Sequence, residues 1–405
     1  MAARWAERSG GITAVGGVRA AGVACGLKRD GRPDLALVVA DRPASVAATF
    51  TTNRVQAAPV RLSRRHLKGG RFAAIVLNSG NANACTGRQG ARDAEAMATG
   101  VARALNVPAD RVFVASTGVI GRPLDMEAVA KGIGQAAADL SPEGGGRAAQ
   151  AIMTTDTAAK ETALSFRLGR REVTLAGMAK GSGMIAPRMA TMLAVLATDA
   201  LIAARPLQRL LRAAVEDTFN CVTVDGDTST NDMVLCFATG AAGTPPLRPG
   251  TPAFRRFGEA LHEVCLRLAV MIARDGEGAT KLATLRIEGA GNPREARLAA
   301  EAVATSPLVK TTLFGQDMNW GRIMAALGRS GARFDPEAVE ILVDELPVVR
   351  RGMTRGPEAE AAANERLRRR EFSLVVRLHA GRAAVRLFTT DLSEDYVKIN
   401  AGYRS

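Results

Sequence analysis

The chain has few aromatic residues and few of the residues that bind metals. Only 4% of its 405 residues are aromatic, so the core is expected to consist of Ala, Val, Leu, Ile and Met. It contains three His, and its five Cys form no Cys-x-x-Cys pair, a usage typical of reduced thiols in the cytosol. His262 and Cys265, three positions apart on a predicted helix, are expected to be packing residues. The sequence therefore predicts no metal site.

Several kinds of segment are absent as well. Residues 1–11 contain no apolar stretch of the kind found in a secretory signal. No apolar run approaches the roughly 18–20 residues that a membrane span requires. The sequence has no Gly-x-x-x-x-Gly-Lys-Ser/Thr loop and no convincing Gly-x-Gly-x-x-Gly turn for a nucleotide. These absences predict a cytoplasmic protein with no membrane partner.

The net charge of +14 raises the question of nucleic-acid binding. The basic residues are mostly Arg and are dispersed along the chain, with the densest group at 364–370 in a segment typical of a solvated helix. No aromatic residues alternate with them, as stacking on bases would require. We therefore expect no nucleic-acid partner, and a positive field that attracts small anionic substrates.

Strand-like runs alternate with helical stretches along the chain, which predicts an α/β fold of the layered α+β kind. A Gly-rich segment at 141–147 is predicted to be a flexible loop, and a segment rich in Gly and Pro at 242–252 to be a linker. The predicted strands are 34–40, 73–78, 111–115, 279–287, 338–344, 372–379 and 383–389, and the predicted helices are 91–105, 123–140, 206–220 and 253–274.

The most informative stretch is 180–193, in which Thr191 follows a small residue, Ala190. If the backbone is cut between these two, Thr191 acquires a free α-amine that can serve as the general base for its own hydroxyl. The simpler interpretation of the same stretch is a turn around Gly181, Gly183 and Pro187 followed by a buried strand at 191–198.

The resemblance of the whole stretch to a known family favours cleavage between Ala190 and Thr191 over a simple turn and strand. It resembles the self-processing segment of the ornithine acetyltransferase (glutamate N-acetyltransferase) family, in which Lys-Gly-x-Gly-Met-Ile, Pro and Ala-Thr-Met-Leu surround the scissile bond. The resemblance extends in the family's order through seven further blocks, at 50–54, 78–87, 116–121, 153–157, 224–232, 274–281 and 317–322, and ends at 395–401.

This resemblance implies two stacked sheets flanked by helices, like N-terminal-nucleophile hydrolases but with a distinct topology. It implies self-cleavage into chains 1–190 and 191–405, which assemble as an α2β2 heterotetramer. The implied reaction transfers acetyl from N-acetylornithine to glutamate in arginine biosynthesis, through an acetyl ester on Thr191 and without a cofactor. Some family members also accept acetyl-CoA as co-substrate, and the sequence leaves that open.

The resemblance also implies roles for individual residues. Thr117 and Gly118 match the family's oxyanion-hole pair. The matched substrate-binding residues are Thr157, Lys180, Thr191, Glu277, Asn400 and Ser405. A cationic Lys180 suits the carboxylate of an amino-acid substrate, and Glu277 suits an ammonium group. Without the resemblance, Thr117 and Gly118 would indicate a simple turn, Lys180 a solvated surface charge and Glu277 an ordinary turn residue.

Two features depart from simple expectations. Asp225, Asp227 and Ser229 have the spacing that begins an EF-hand loop, but Thr230 and Cys236 stand where that loop needs Gly and Glu. Many family members carry His and Asn at the positions of Ala186 and Arg188, which leaves the rate of cleavage open.

Two other functions remain open at this stage. One is an amidase or peptidase that uses the same Thr191 with water as the acceptor. The other is an uncleaved, catalytically silent protein that binds a small molecule.

Overall fold

The computed structural model describes residues 4–186 and 192–402. Within these ranges the chain forms two β-sheets flanked by helices, which confirms the predicted fold class. None of the helices in these ranges combines the length and the apolar composition that a membrane crossing requires.

The strands are β1 (Ala6–Glu7), β2 (Val18–Val23), β3 (Leu35–Phe50), β4 (Arg71–Asn81), β5 (Val112–Val119), β6 (Lys160–Leu168), β7 (Arg171–Lys180), β8 (Leu193–Thr198), β9 (Val222–Thr223), β10 (Met233–Ala238), β11 (Leu282–Ala290), β12 (Glu340–Val343), β13 (Leu346–Arg350), β14 (Met353–Thr354), β15 (Glu371–Arg377) and β16 (Ala383–Thr390). The helices are α1 (Ala58–His66), α2 (Gly87–Leu105), α3 (Met126–Ala138), α4 (Gly145–Ala151), α5 (Ala204–Glu216), α6 (Pro252–Arg274), α7 (Pro293–Ala304), α8 (Pro307–Gly315), α9 (Trp320–Gly328), α10 (Pro357–Leu367) and α11 (Glu394–Gly402).

The first sheet runs in the order β1-β6-β7-β8-β10-β3-β4-β5, with β2 paired to β3. Strand β3 holds the sheet together, because its first half pairs with β2 and β4 and its second half with β10. Strands β8 and β10 run parallel, with Leu193 opposite Met233. The residues that precede these two strands, Met192 and Asp232, therefore lie side by side.

The second sheet runs in the order β14-β13-β12-β15-β11-β16-β9. Helix α6 contacts strands of both sheets, and its buried face joins one large apolar core with α5 and α7. Its start is set locally, because the Thr251 hydroxyl accepts a hydrogen bond from the N–H of Phe254 and Pro252 occupies the first turn.

Most predicted strands and helices are present, and some of their bounds are corrected. Helix α3 begins at Met126 rather than at Pro123, because Asp125 caps it by accepting the N–H of Ala128. The predicted linker at 242–252 joins β10 to α6, but its Leu247 is buried in the same core as Ala238 and Phe254. The segment itself is coil and turn between these two elements, as its Gly and Pro predict.

The Gly-rich segment at 141–147 was predicted to be a flexible loop, but helix α4 begins within it at Gly145. The glycines serve close packing on β2. A Cβ at Gly144 would lie 1.8 Å from the carbonyl oxygen of Ala20, and a Cβ at Gly22 would lie 2.1 Å from that of Arg147. The backbones approach too closely for any side chain, so glycine here indicates a packed contact.

This contact gives a prediction for stability. Gly144→Ala should destabilise the protein by about 1–3 kcal/mol, because the added methyl overlaps a backbone carbonyl that cannot move freely. Gly134→Ala is the matched control, since a Cβ at Gly134 in α3 meets nothing within 4 Å. That change should be neutral or stabilise by roughly 0.5–1 kcal/mol. Thermal unfolding midpoints measure both, and equal midpoints for the two variants would contradict the packing argument.

Candidate active site

A cavity of about 190 Å³ opens between the two sheets' connecting loops. Its walls come from the end of β5, the end of β7, the loops after β9 and α6, and helix α11. The lining residues include Ala82, Thr117, Gly118, Ile120, Thr154, Thr155, Lys180, Gly183, Met184, Asp225, Asp227, Ser229, Thr230, Asn231, Glu277, Tyr396 and Asn400. Residues far apart in the sequence thus meet at one place, which is typical of an active site.

The predicted site residues fall into three groups. Five of them, Thr117, Gly118, Lys180, Glu277 and Asn400, line this cavity together. Thr157 instead lines a neighbouring cavity, and both its backbone N–H and its hydroxyl donate to the carboxylate of Asp275. Ala190, Thr191 and Ser405 lie outside the described residues.

Thr117 and Gly118 stand at the end of β5 beside the end of β4. Gly118 has φ of 129° and is paired with Gly80, and a Cβ on Gly118 would lie 2.4 Å from the carbonyl carbon of Gly80. Only glycine fits that approach. The Thr117 hydroxyl oxygen accepts a hydrogen bond of 3.5 Å from Nζ of Lys180. Because the lysine donates, the Thr117 hydroxyl hydrogen remains available to a ligand in the cavity.

Lys180 belongs to a buried network of charges. Its Nζ lies 4.0 Å from Oδ2 of Asp156, whose Oδ1 accepts from Nζ of Lys160 at 2.6 Å and from the N–H of Gly181 at 2.7 Å. Lys160 also pairs with Asp275 at 2.5 Å. Burial alone would raise the pKa of Asp156, but Lys180 and Lys160 outweigh it and hold that pKa well below its usual range.

For Lys180 the balance is different from that of Asp156, because burial outweighs the charges around it and its pKa is lowered. Burial is the largest influence on Lys180 and lowers its pKa, while the carboxylates of Asp156, Glu277 and Asp232 favour its charged form. A buried ammonium group that faces the cavity is well placed to attract an anionic part of a substrate.

Glu277 also lines the cavity. Its backbone N–H donates to the carbonyl of Ser182 at 2.9 Å, and its Oε2 accepts from the side-chain amide of Asn400 at 2.9 Å. A Cβ on Gly183 would lie 2.1 Å from that same oxygen, so glycine at 183 makes room for the carboxylate. Glu277 and Asn400 therefore present one fixed acceptor group to the cavity.

Asp225 holds the segment that precedes residues 187–191 in the sequence. Its two carboxylate oxygens accept the N–H groups of Met184 at 2.6 Å and Ile185 at 2.8 Å. The hydroxyl of Tyr396 donates to it at 3.4 Å, and burial raises the pKa of both groups. The aspartate that resembled an EF-hand ligand thus fixes a loop. Among the described residues, no group of three or more His, Cys, Asp and Glu is arranged to hold a metal ion.

Asp232 holds the segment on the other side. Its Oδ1 accepts the N–H of Met192 at 3.0 Å, and the N–H of Met233 donates to the carbonyl of Met192 at 3.2 Å. Next to it, the amide of Asn231 donates to the carbonyls of Ala82 and Ser116, which ties the loop to the ends of β4 and β5. The described residues on either side of 187–191 are thus anchored by two aspartates, the half-buried Asp225 and the buried Asp232.

Known proteins are similar to nearly the whole chain. The profile of the ArgJ family matches residues 19–405. The arginine biosynthesis bifunctional protein ArgJ of Symbiobacterium thermophilum is 51% identical, covering 98% of this chain and 99% of its own length. The protein of the same name from Geobacter sulfurreducens is 48% identical over 96% of this chain and 100% of its own. The chain belongs to the ArgJ family.

Two solved structures are similar to parts of the chain. One, the ArgJ protein of Bacillus halodurans, is 42% identical and covers 51% of this chain and 96% of its own, with a TM-score of 0.49. The other, an ornithine acetyltransferase from Mycobacterium tuberculosis complexed with ornithine, is 45% identical and covers 44% of this chain and 96% of its own, with a TM-score of 0.42.

Family membership confirms the predicted family and the prediction of an acyltransferase of arginine biosynthesis. Sequence reasoning alone missed several residues of this ArgJ-family site, although each lies in a block that carried the resemblance. They are Asp156, Asp225, Asn231, Asp232 and Tyr396. Their positions within 153–157, 224–232 and 395–401 were the signal that could have identified them.

Proposed function

We propose that Thr191 is the nucleophile by which this ArgJ-family enzyme transfers acetyl from N-acetylornithine to glutamate. Self-cleavage at Ala190–Thr191 frees the α-amine of Thr191, and the two chains, 1–190 and 191–405, assemble as an α2β2 heterotetramer. The amine then takes the proton of the Thr191 hydroxyl as its oxygen attacks the acetyl carbonyl.

In both half-reactions the acetyl group is carried by Thr191, and every bond and proton is accounted for. Attack forms an ester between Thr191 and the acetyl carbon, the bond from that carbon to the ornithine nitrogen breaks, and the α-ammonium returns its proton to the departing amine. The amine of glutamate then attacks the ester, and N-acetylglutamate leaves as the Thr191 hydroxyl recovers a proton.

The observation that carries the proposal is the meeting of Thr117, Gly118, Lys180 and Glu277 around one cavity. The Thr117 hydroxyl and the Gly118 N–H are suited to the oxyanion that develops during attack. Met192, the residue after Thr191 in the sequence, is hydrogen-bonded to Asp232, whose neighbour Asn231 lines the same cavity.

Charge in the cavity suits an amino-acid derivative. In this proposal Lys180 attracts the α-carboxylate, and Glu277, held by Asn400, pairs with the side-chain ammonium of ornithine. Thr157 and Ser405 keep their predicted substrate-binding roles as proposals. No cofactor takes part, and acetyl-CoA serves as a second acetyl donor to the same Thr191.

The proposal predicts a covalent intermediate on one chain. Mixing the enzyme with N-acetylornithine alone should add one acetyl group to the 191–405 chain and release ornithine. Adding glutamate should remove the group as N-acetylglutamate, and initial rates should give the parallel lines of ping-pong kinetics. Intact mass spectrometry follows the first step and product assays the second.

The same experiment separates the amidase alternative. An amidase would release acetate from N-acetylornithine at the same rate with and without glutamate, because water would be the acceptor. An acetyl group found on the 1–190 chain, or intersecting lines in the kinetics, would contradict the proposed intermediate on Thr191.

A further inference from the structure

The neighbouring cavity, which Thr157 lines, has a volume of about 330 Å³, and the mechanism above gives no role to its basic residues. Its lining includes Lys28, Arg32, Gln150 and Met153, and none of the described residues that line it is acidic. Two cationic side chains therefore reach one cavity that has no carboxylate in its described lining. An anion is the ligand that such a cavity suits.

Lys28 is held in place by its loop. The buried carboxylate of Asp34 accepts three backbone N–H groups of this loop at 2.7–3.1 Å, those of Cys25, Gly26 and Lys28. The Lys28 ammonium group donates to the carbonyl of Pro33 at 2.7 Å, its one hydrogen bond within residues 4–186 and 192–402. An ammonium group has three N–H donors, so two of them are available to a ligand.

Arg32 brings a second positive charge to the same cavity. Its Nε pairs with Asp30 at 2.7 Å, but both side chains are exposed, so water screens this pair. Burial is the largest influence that lowers the pKa of Lys28, to about 8, and the charge of Arg32 is the next, while Asp34, Asp30 and Asp156 act in the opposite sense. The two cations are thus close enough to repel each other, and a bound anion would relieve that repulsion.

The neighbouring cavity lies beside the active-site cavity. Met153 and Thr157 line the neighbouring cavity, whereas Thr154 and Thr155, between them in the sequence, line the active-site cavity. Residues whose Cα atoms are about 3.8 Å apart along the chain thus line different cavities. The segment 153–157 is therefore a wall that the two cavities share.

Lys28 also lies close to the proposed oxyanion residue Gly118. A Cβ on Gly80, near the end of β4, would lie 3.4 Å from Cγ of Lys28. Gly80 is paired with Gly118 on β5, and the backbones of paired strands are about 4.8 Å apart. Cγ of Lys28 is therefore within about 10 Å of the Cα of Gly118.

The size of the active-site cavity limits what it can hold. Its volume of about 190 Å³ is below the roughly 300–1,000 Å³ of cavities that enclose drug-sized ligands, and acetyl-CoA is larger than such a ligand. If the acetyl group of this donor lies beside Gly118, its nucleotide and phosphates must lie outside the active-site cavity. The flexible arm between the thioester and the diphosphate of acetyl-CoA is long enough to reach the neighbouring cavity.

We propose that the neighbouring cavity binds the diphosphate of acetyl-CoA through Lys28 and Arg32. This inference rests on the proposed function, because it assumes that acetyl-CoA acylates the same Thr191 as N-acetylornithine. N-acetylornithine carries no phosphate, so Lys28 and Arg32 serve one donor and not the other. They are binding residues and take no part in bond making.

Lys28→Gln and Arg32→Gln, singly and together, test the site with glutamate as the acceptor. The double variant should raise KM for acetyl-CoA by about 10-fold or more with little change in kcat, because charge-assisted hydrogen bonds to phosphate form equally in the ground state and the transition state. KM for N-acetylornithine should not change. Arg29→Gln is the matched control, since Arg29 is exposed in the same loop but is not among the described residues that line the cavity.

Shortened donors separate phosphate binding from a change in fold. Acetyl-pantetheine has the thioester arm without any phosphate, so the wild type and the double variant should have the same KM for it. Acetyl-CoA without its 3′-phosphate keeps the diphosphate, so the double variant should lose as much affinity for it as for acetyl-CoA. Steady-state kinetics with each donor measure these differences.

A wild-type KM of the double variant for acetyl-CoA would overturn the proposal, as would an equal rise in KM for acetyl-pantetheine or for Arg29→Gln. If Lys28→Gln does not fold, the exposed Arg32→Gln decides alone, and an unchanged KM for acetyl-CoA would contradict the site. A wild-type enzyme that uses N-acetylornithine but not acetyl-CoA would overturn this inference only. A wild-type enzyme that uses neither donor would overturn the proposed function as well.

Discussion

Thr191→Ala should leave the 405-residue chain uncut and abolish acetyl transfer. The variant lacks the hydroxyl that attacks the preceding carbonyl, and without the cut it also lacks the free α-amine that would act as base. Loss of a nucleophile lowers turnover by at least about 10⁴-fold in enzymes of this kind. Intact mass and the transfer of acetyl from N-acetylornithine to glutamate measure the two effects separately.

Thr191→Ser provides the control for this prediction. Serine keeps a hydroxyl at the same position, so the variant should be cut between 190 and 191 and retain measurable transfer. If Thr191→Ala is cut like the wild type, or an uncut Thr191→Ala transfers acetyl, Thr191 is not the nucleophile. An uncut wild type that still binds the substrate would instead favour the silent binding protein.

The sequence predicted the fold where its signal was local. Helices α2 and α6 and strands β4, β11 and β16 follow from periodicity within their own residues. Strand β3 was predicted to stop at residue 40, but it continues to Phe50 through Pro43. A register shift between Val39 and Ala44 accommodates that proline, and such a shift depends on the partner strand rather than on local sequence.

For the active site, the residues could be predicted from the sequence but their contacts could not. The resemblance supplied Thr117, Gly118, Lys180, Glu277 and Asn400, which the structure places around one cavity. It did not reveal what each of them touches, because those contacts join distant parts of the chain.

Two contacts near the cavity show how far apart in the sequence such partners are. Lys160 pairs with Asp275, 115 positions away, and Tyr396 donates to Asp225, 171 positions away. No local sequence pattern predicts such pairs, and a lone Asp or Lys in a sequence is more often a solvated surface residue. Only the topology that brings β7, the loop after β9 and helix α11 together turns these residues into one site.

Thr117→Ala is expected to lower kcat for acetyl transfer by about 10²–10³-fold, because it removes one of the two proposed oxyanion donors. Nζ of Lys180 donates to the Thr117 oxygen, which leaves the hydroxyl hydrogen available to donate to a ligand in the cavity. The effect should therefore appear mainly in kcat, since the oxyanion exists only as the acetyl carbonyl is attacked.

Thr117→Ser separates this role from packing. Serine keeps the hydroxyl and should retain most of the activity, whereas both variants remove the methyl group from a side chain that is 5% exposed. Steady-state kinetics for N-acetylornithine and thermal unfolding midpoints measure the two properties. Equal loss of kcat in both variants, or a loss of Thr117→Ala activity that appears only as a higher KM, would show that the Thr117 hydroxyl does not stabilise the transition state.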